Sequence, residues 1–156
     1  MDTKTLPDDF KEFLKLLNEH HVDYLVIGGY AVGFHGYVRT TGDMDIWVRA
    51  SQENAANLYQ ALVRFGFAQS SFQKELTLTE KTLIRFGVRP MQIEILTTIP
   101  GIEFDDCYQR KSTEIIDGIA INFINLDDLK TNKLATGRLK DLTDVDMLQK
   151  LNRRRK

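Results

Sequence analysis

The sequence predicts an α/β fold of the α+β type, in which helices flank one mixed β-sheet. Three observations predict it: an amphipathic helix pattern opens the chain, short apolar strand patterns follow it between helices, and the hairpin signal Asp117–Gly118 lies among the strands. A hairpin joins antiparallel strands, whereas helices can join parallel ones, so the sheet should be mixed. The 156 residues suit a single domain, 1–156.

The first half of the chain is predicted to alternate helices and strands. Apolar residues from Phe10 to Leu17 recur at helical spacing after the start signal Asp8–Asp9. Glycines then mark the element ends, at Gly28–Gly29, Gly36 and Gly66. The elements predicted after the first helix are a buried strand, a short helix, a second strand and an amphipathic helix, over Asp23–Ile27, Tyr30–His35, Asp43–Val48 and Gln52–Phe65.

The second half is predicted as strands followed by two helices. The strand patterns cover Glu75–Leu78, Thr82–Phe86, Met91–Leu96, Thr113–Ile116 and Ile119–Ile124. One closing helix should run from about Asn125 to Gly137, and the other from Leu139 to Leu151. The tail Asn152–Lys156 (NRRRK) is expected to be a solvated, disordered end, with contact to RNA phosphates as the alternative.

Composition excludes several classes of protein. The formal net charge of −1 gives no overall attraction to nucleic acid or to an anionic membrane. Cys107 is the only cysteine, so no intramolecular disulfide can form. The start MDTKTLPDDF lacks the apolar core of a signal peptide, and no apolar run approaches the roughly 20 residues that span a bilayer. We expect a cytoplasmic protein with no membrane partner.

The glycine pair Gly28–Gly29 is the first candidate for binding chemistry. A strand that runs into two glycines and then a helix allows backbone N–H groups to approach an anion such as a phosphate. Paired glycines also end strands in many proteins that bind no ligand. The pair therefore indicates a phosphate site only in combination with other residues.

Asp43 and Asp45 are the second candidate, as a metal site. Residues two apart in a strand point to the same face, about 6.6 Å apart, and aspartate is disfavoured in strands without a reason. Mg²⁺ binding would be such a reason, because this ion prefers carboxylate oxygens. Chance is the alternative: Asp144–Asp146 is a second D-x-D, in a helical pattern where the two residues do not share a face.

Glu94 would complete the site. In the strand pattern MQIEIL, Glu94 faces away from Ile93 and Ile95, as either a solvent-facing residue of an edge strand or a site carboxylate. If its strand lay beside that of Asp43 and Asp45, about 4.8 Å away, three carboxylates would gather and could hold two metal ions. That pairing is an assumption at this point.

The run DYLVIGGYAVGFHGYVRTTGDMDIWV (23–48) resembles the DNA polymerase β-like nucleotidyltransferase superfamily. Within it, the chain is similar to small bacterial members related to type IV toxins and to lincosamide nucleotidyltransferases. The stretches MQIEILTTIPGIEF and INLDDLKTNKLATGRLKDLTDVDML share this resemblance, which covers nearly the whole chain. The implied fold is the mixed β-sheet nucleotidyltransferase fold with two C-terminal helices.

The resemblance also implies roles for individual residues. Asp43, Asp45 and Glu94 would be the metal ligands and catalytic carboxylates. Residues that would bind the nucleotide come from the glycine turn, from the segment before the D-x-D and from the closing helices: Gly28, Gly29, Tyr30, Arg39, Thr40, Lys133, Arg138, Lys140 and Asp141. For the basic residues among them, a solvated helix face is the alternative. The chain departs from the pattern twice, with Tyr30 where many members have serine and Glu94 where many have aspartate.

The expected function is transfer of a nucleoside monophosphate from a nucleoside triphosphate, such as ATP, to a hydroxyl acceptor, with release of pyrophosphate and dependence on Mg²⁺ or Mn²⁺. The acceptor could be a tRNA, a protein or a small molecule. The alternative is a catalytically silent module of the same fold that binds a nucleotide or a partner, for example an antitoxin-type protein in a toxin–antitoxin pair. Burial is the favoured interpretation for Trp47, with stacking on a base as the alternative, and His35 could lie near the nucleotide or have a local packing role. Cys107 has no CxxC partner and no activating group in the sequence, so it is expected to be inert.

Overall fold

The computed structural model describes residues 6–66, 78 and 81–155, without the side chains of residues 154 and 155. The helices in these residues are α1 (Asp8–Glu19), α2 (Gly28–Phe34), α3 (Gln52–Phe65), α4 (Phe104–Gln109), α5 (Leu126–Thr136) and α6 (Leu139–Arg155). The strands are β1 (Tyr24–Ile27), β2 (Asp43–Val48), β3 (Leu83–Phe86), β4 (Gln92–Leu96), β5 (Ser112–Ile116) and β6 (Ile119–Phe123). The predicted strand Glu75–Leu78 lies outside the described residues except for Leu78.

The strands form one mixed sheet, as the sequence predicts, and their order in it is β3-β4-β2-β1-β6-β5. Strands β1 and β6 are parallel, as are β2 and β4, while the other neighbouring pairs are antiparallel. The hairpin turn between β5 and β6 is at Asp117–Gly118, where both residues have positive φ, 52° and 80°. Two positive φ angles are what a two-residue turn of type I′ requires.

The two faces of the sheet differ in chemistry. On one face Met44, Ile46, Ile93 and Ile95 are at most 2% exposed and form the core with α1 and α3. The side chains that alternate with them point to the opposite face. A shift of register by one residue would exchange the two faces, so burial of the apolar set also determines where the intervening carboxylates lie.

Helix α3 coincides with its prediction, whereas other parts of the structure correct the sequence analysis. Helix α2 starts at Gly28, two residues before the predicted start. The tail was predicted to be disordered, which is wrong as far as residue 155, because α6 continues to Arg155. No glycine or proline interrupts that stretch, and basic residues at a helix C-terminus are favoured by the helix dipole.

The sequence analysis missed helix α4. At six residues it is too short to show helical periodicity, and it is held in place by two buried side chains, Phe104 and Cys107. Among the described residues, no helix combines the length and the apolar character needed to cross a membrane.

Candidate active site

Strands β2 and β4 bring the three predicted carboxylates together. The two strands are parallel neighbours, with Asp45 opposite Glu94 and Asp43 opposite Gln92. One carboxylate oxygen from each of Asp43, Asp45 and Glu94 lies within 4.8 Å of the other two. The strand pairing that the sequence analysis had to assume is therefore present.

Asp45 is the most constrained member of the three. Its Oδ1 atom is buried and has no hydrogen-bond partner among the described residues. Burial, together with the negative charges of Asp43 and Glu94, raises the pKa of this carboxyl to about 7. An ionised Asp45 is therefore costly in the metal-free protein, and a cation bound between the carboxylates would remove that cost.

Glu94 accepts hydrogen bonds from one side chain of β3 and one of its own strand, β4. Its Oε1 atom accepts hydrogen bonds from Nε of Arg85 at 2.8 Å and from Nε2 of Gln92 at 3.1 Å. Arg85 comes from β3, where it stands directly opposite Glu94 in the antiparallel register. These two bonds hold the third carboxylate in position beside Asp45.

The turn between β1 and α2 lies against the carboxylates because its first two residues are glycines. A Cβ atom on Gly28 would be 2.3 Å from Oδ2 of Asp45, and one on Gly29 would be 2.8 Å from Oγ1 of Thr41. Gly28 also has a φ of +66°, which residues with side chains rarely adopt. The backbone thus approaches the metal-ligand candidates more closely than any other residue type would allow.

This close approach makes Gly28→Ala a specific prediction. Gly137→Ala is a matched control, because Gly137 has a φ of +69° but nothing within 4 Å of an added Cβ. Gly137→Ala should lower the free energy of unfolding by about 1 kcal/mol, the cost of the backbone conformation alone. Gly28→Ala should cost at least about 2 kcal/mol and also displace Asp45. Urea unfolding measures both variants, and equal losses would contradict the contact with Asp45.

An ionic cluster centred on the buried residues Lys133, Asp141 and Asp144 lies on the helical side of the site. Lys133 of α5 donates to Oδ1 of Asp141 at 2.8 Å and lies 3.0 Å from Oδ2 of Asp144. Arg39, in the segment before β2, donates from Nε and Nη2 to the two oxygens of Asp144, both at 2.9 Å. Arg138 donates from Nε to Oδ2 of Asp141 at 2.7 Å. The cluster joins α5 and α6 to the chain that enters β2.

Asp141 is the best-paired acid of this cluster. Burial on its own would raise its pKa, but hydrogen bonds from Lys133, Thr136 and Arg138 outweigh burial and hold the pKa at about 2. Asp141 is therefore ionised at neutral pH and orients two of the basic side chains that face the carboxylates.

Most of the predicted site residues line one cavity of about 390 Å³. The predicted residues that line it are Gly28, Gly29, Arg39, Asp43, Asp45, Glu94, Lys133, Arg138, Lys140 and Asp141. Basic side chains thus surround the three carboxylates, an arrangement that suits a polyanion carried together with a cation.

Two predicted residues do not line this cavity. Tyr30 is buried on the inner side of α2, where its ring packs edge-on against Phe10 at 5.6 Å. Thr40 is exposed, and Thr41 lines the cavity in its place and donates to the backbone oxygen of Asp43 at 3.2 Å. Alternation in an extended segment explains this, because residue 41 shares its face with residues 43 and 45.

Charged residues of the site and of the ionic cluster beside it were also missed by sequence reasoning. Arg85 and Arg89 line the cavity from the β3–β4 side, and they could have been found only with the strand pairing in hand. Asp144 is 1% exposed and was set aside with its D-x-D pair. Its signal was the spacing of three from Asp141, which places both acids on one face of a helix.

Other residues considered from sequence have structural roles. Trp47 is buried and donates from Nε1 to the backbone oxygen of Thr97 at 3.1 Å. Nε2 of His35 lies 2.7 Å from the backbone oxygen of Ile124, and burial lowers its pKa. Cys107 is buried, and burial raises its pKa to about 12, so its thiol is unreactive at neutral pH.

The donor set fits a hard divalent cation such as Mg²⁺ or Mn²⁺. All three ligand atoms are carboxylate oxygens, which these ions prefer. The Asp45 carboxylate also has a buried oxygen, Oδ1, that accepts no hydrogen bond from any described residue. A carboxylate oxygen buried in this way is costly unless a proton or a cation binds it.

The architecture is similar to that of solved nucleotidyltransferase-like structures. An antigenic nucleotidyltransferase-like protein from Paracoccidioides brasiliensis matches with a TM-score of 0.53 and 17% identity, over 94% of this chain and 78% of that one. A nucleotidyltransferase candidate from Thermotoga maritima matches with a TM-score of 0.55 and 18% identity, over 92% and 90%. Likeness at these identities establishes the fold.

Family membership follows from the sequence profile. Among curated proteins, none matches this chain. The profile of the family described as "Nucleotidyl transferase of unknown function (DUF2204)" matches residues 7–156. The match covers nearly the whole chain and agrees with the nucleotidyltransferase-like fold, so this chain belongs to that nucleotidyltransferase family.

Proposed function

We propose that the protein transfers a nucleoside monophosphate from a nucleoside triphosphate to a hydroxyl acceptor, with Mg²⁺ or Mn²⁺ held by Asp43, Asp45 and Glu94. One observation carries the proposal: three carboxylate oxygens converge within 4.8 Å beside a glycine turn, in a cavity otherwise rich in basic side chains. Such a cluster is unfavourable by itself, because like charges repel at this distance, and it becomes favourable when it binds cations.

Different residues around the carboxylates would contribute to triphosphate binding in different ways. The backbone of Gly28 and Gly29 offers close approach, since neither residue has a side chain in the way. Lys133, Arg138 and Lys140 supply positive charge from the helical side. Asp141 orients Lys133 and Arg138 through direct hydrogen bonds, and is therefore a positioning residue.

The proposed step conserves atoms and charge. The acceptor oxygen forms a bond to the α-phosphorus, while the bond from that phosphorus to the bridging oxygen breaks and pyrophosphate leaves. Glu94 accepts the proton of the acceptor hydroxyl. Bound divalent cations would supply Lewis acidity, which lowers the pKa of the acceptor hydroxyl and offsets charge at the α-phosphate.

A silent nucleotide- or partner-binding module, such as one that binds an antitoxin-type protein, is the competing candidate. The Arg85–Glu94 ion pair favours it, because a guanidinium already neutralises one of the three carboxylates. The two candidates differ in pyrophosphate release: both allow triphosphate binding, but only the enzyme releases pyrophosphate.

The test uses the full chain with each of the four ribonucleoside triphosphates, labelled at the α-phosphate. We expect at least one triphosphate to raise the melting temperature with Mg²⁺ but not with EDTA, and to release pyrophosphate with label transfer to total RNA, to protein or to the chain itself. The matched variants are Asp43→Asn and Asp146→Asn, each within a D-x-D. Asp146 is 59% exposed and paired only with Lys150 among the described residues, so its variant should retain full activity.

Binding without pyrophosphate release in any mixture would favour the silent module. Equal activity of Asp43→Asn and the wild type would remove the metal site from the proposal.

A further inference from the structure

We propose that β3 and the turn that follows it form a track for a single-stranded polynucleotide, which presents its terminal hydroxyl to Glu94 as the acceptor. This inference rests on the proposed function and names the class of acceptor. The residues that carry it are Lys81, Leu83, Arg85 and Arg89, none of which the sequence resemblance assigns.

The first argument is the register of the edge strand. Arg85 stands opposite Glu94 and Leu83 opposite Leu96, so both β3 side chains lie on the same face as the carboxylates. Lys81 precedes Leu83 by two residues. The residue between them, Thr82, is tied to the end of β4 by two hydrogen bonds: its backbone N–H donates to Oγ1 of Thr97, and the backbone N–H of Thr97 donates to its backbone oxygen. Lys81 therefore lies beside the same edge of the sheet. Lys81, in the turn before β3, and Arg85 are four residues apart, which allows at most about 14 Å between them along the chain.

The second argument is that the carboxylate cavity does not end at Glu94. Leu96, Thr98 and Ile99 line both this cavity and a neighbouring cavity of about 370 Å³, which Lys81 and Leu83 also line. Thr98 and Ile99 continue into a third cavity of about 730 Å³. The three cavities therefore adjoin one another at Thr98 and Ile99, just beyond the end of β4, and together they form a groove longer than a single hydroxyl compound would fill.

The third argument is the chemistry of the groove wall. Lys81 and Arg89 are exposed and form no ion pair with any described residue, while Arg85 pairs only with Glu94. Between the cations, the side chain of Leu83 is exposed although it is apolar. Cations that alternate with an apolar surface match a strand of phosphates and base faces.

Arg89 closes the groove at the carboxylate end. Gly42 precedes Asp43, and a Cβ atom on it would be 2.9 Å from Cδ of Arg89, so the arginine stem lies against the start of β2. A hydrogen bond from the N–H of Met91 to the oxygen of Val88 at 2.7 Å holds the turn that carries Arg89. The guanidinium is thereby kept beside the site where the acceptor terminus would lie.

The charges of the two walls separate acceptor from donor. Lys133, Arg138 and Lys140 stand on the helical wall, where they suit the triphosphate. The cations of β3 and its turn lie on the other wall, where they would repel a polycationic small molecule as acceptor. The groove therefore suits an acceptor that is a polyanion.

Two binding measurements test this proposal without any need for turnover. The first is the affinity of single-stranded RNA of about 12 nucleotides with a free 3′ hydroxyl, measured by fluorescence anisotropy as a function of salt. The second is the affinity of Mg·ATP, measured by calorimetry. The variants are Lys81→Gln combined with Arg89→Gln on the track, and Lys140→Gln on the helical wall as the matched control.

The double variant should weaken RNA binding about tenfold and reduce the salt slope by about 1.4, since each lost phosphate contact on a single strand contributes about 0.7. The ATP affinity of the double variant should change less than about twofold. Lys140→Gln should instead weaken ATP binding and leave RNA binding nearly unchanged. The track would be overturned if the double variant bound RNA as well as the wild type does, or if it lost as much affinity for ATP as for RNA. It would also be overturned if adenosine monophosphate displaced the labelled RNA as effectively as unlabelled RNA does. If RNA binds as expected but no pyrophosphate is released, the proposed function fails and the track remains.

Discussion

Asp45→Asn is expected to stabilise the metal-free protein at pH 8 and, at the same time, to abolish metal-dependent transfer. The folded-state pKa of Asp45 is about 7, above its ordinary value of 3.8, so between these values the folded protein binds the proton that the unfolded chain has lost. The free energy of unfolding therefore decreases as pH rises from about 4 to 7. Asparagine has the same shape without the charge, so it removes this penalty.

The expected gain at pH 8 is about 1–3 kcal/mol, below the roughly 4 kcal/mol that the full pKa difference would give. For a chain of this length, that gain raises the melting temperature by about 2–4 °C per kcal/mol. Mg²⁺ should stabilise the wild type but not the variant, because the metal needs the ionised carboxylate. Transfer should decrease by at least about 100-fold, since loss even of a residue that only supports a metal ligand costs 10- to 100-fold.

Urea unfolding at pH 4 and pH 8, with EDTA or Mg²⁺, measures the stability part of this prediction. At pH 4 the variant and the wild type should be about equal. Asp146→Asn again serves as the control, because its carboxylate is exposed. If the variant were less stable than the wild type at pH 8, the prediction would be wrong. The contacts of the ionised Asp45 carboxylate would then stabilise the folded protein by more than burial of its charge costs.

Lys133→Met is expected to cause a loss of stability unusual for replacement of a lysine. The Lys133 side chain is 5% exposed and neutralises Asp141 and Asp144, whose side chains are 4% and 2% exposed. Removal of one partner from a buried ion pair costs about 3–5 kcal/mol, because the remaining charge stays buried. Arg39 and Arg138 still contact the two acids, so we expect a loss of about 3 kcal/mol.

Lys150→Met is the matched control for this variant. Lys150 pairs with Asp146 at the surface, with side chains 58% and 59% exposed, and such pairs contribute less than about 1 kcal/mol. Thermal and urea unfolding at pH 7 compare the two variants. The deficit of Lys133→Met should shrink between pH 4 and pH 2, where Asp141, with a pKa of about 2, takes up its proton. Equal stability of the two variants at pH 7 would mean that the buried cluster does not depend on Lys133.

Local patterns were sufficient to predict most of the helices and strands. Alternation in DMDIWV predicted both the strand and the face on which Asp43 and Asp45 lie, because strand side chains have a period of two. Asp117–Gly118 predicted its hairpin, since few residue pairs adopt two positive φ angles. Short or irregular segments gave no such pattern, so α4 was missed and the end of α6 was assigned wrongly.

Sequence alone thus determined the sheet class, the carboxylates of β2 and the glycine turn, because each depends on residues within a few positions of one another. The tertiary structure decided which strands are neighbours, and so placed Glu94 opposite Asp45 and Arg85 beside Glu94. It also decided that Asp144, more than 100 residues from Arg39, would hold that arginine. The physical reason is that strand order and helix packing follow from burial of the whole apolar core, which no local pattern encodes.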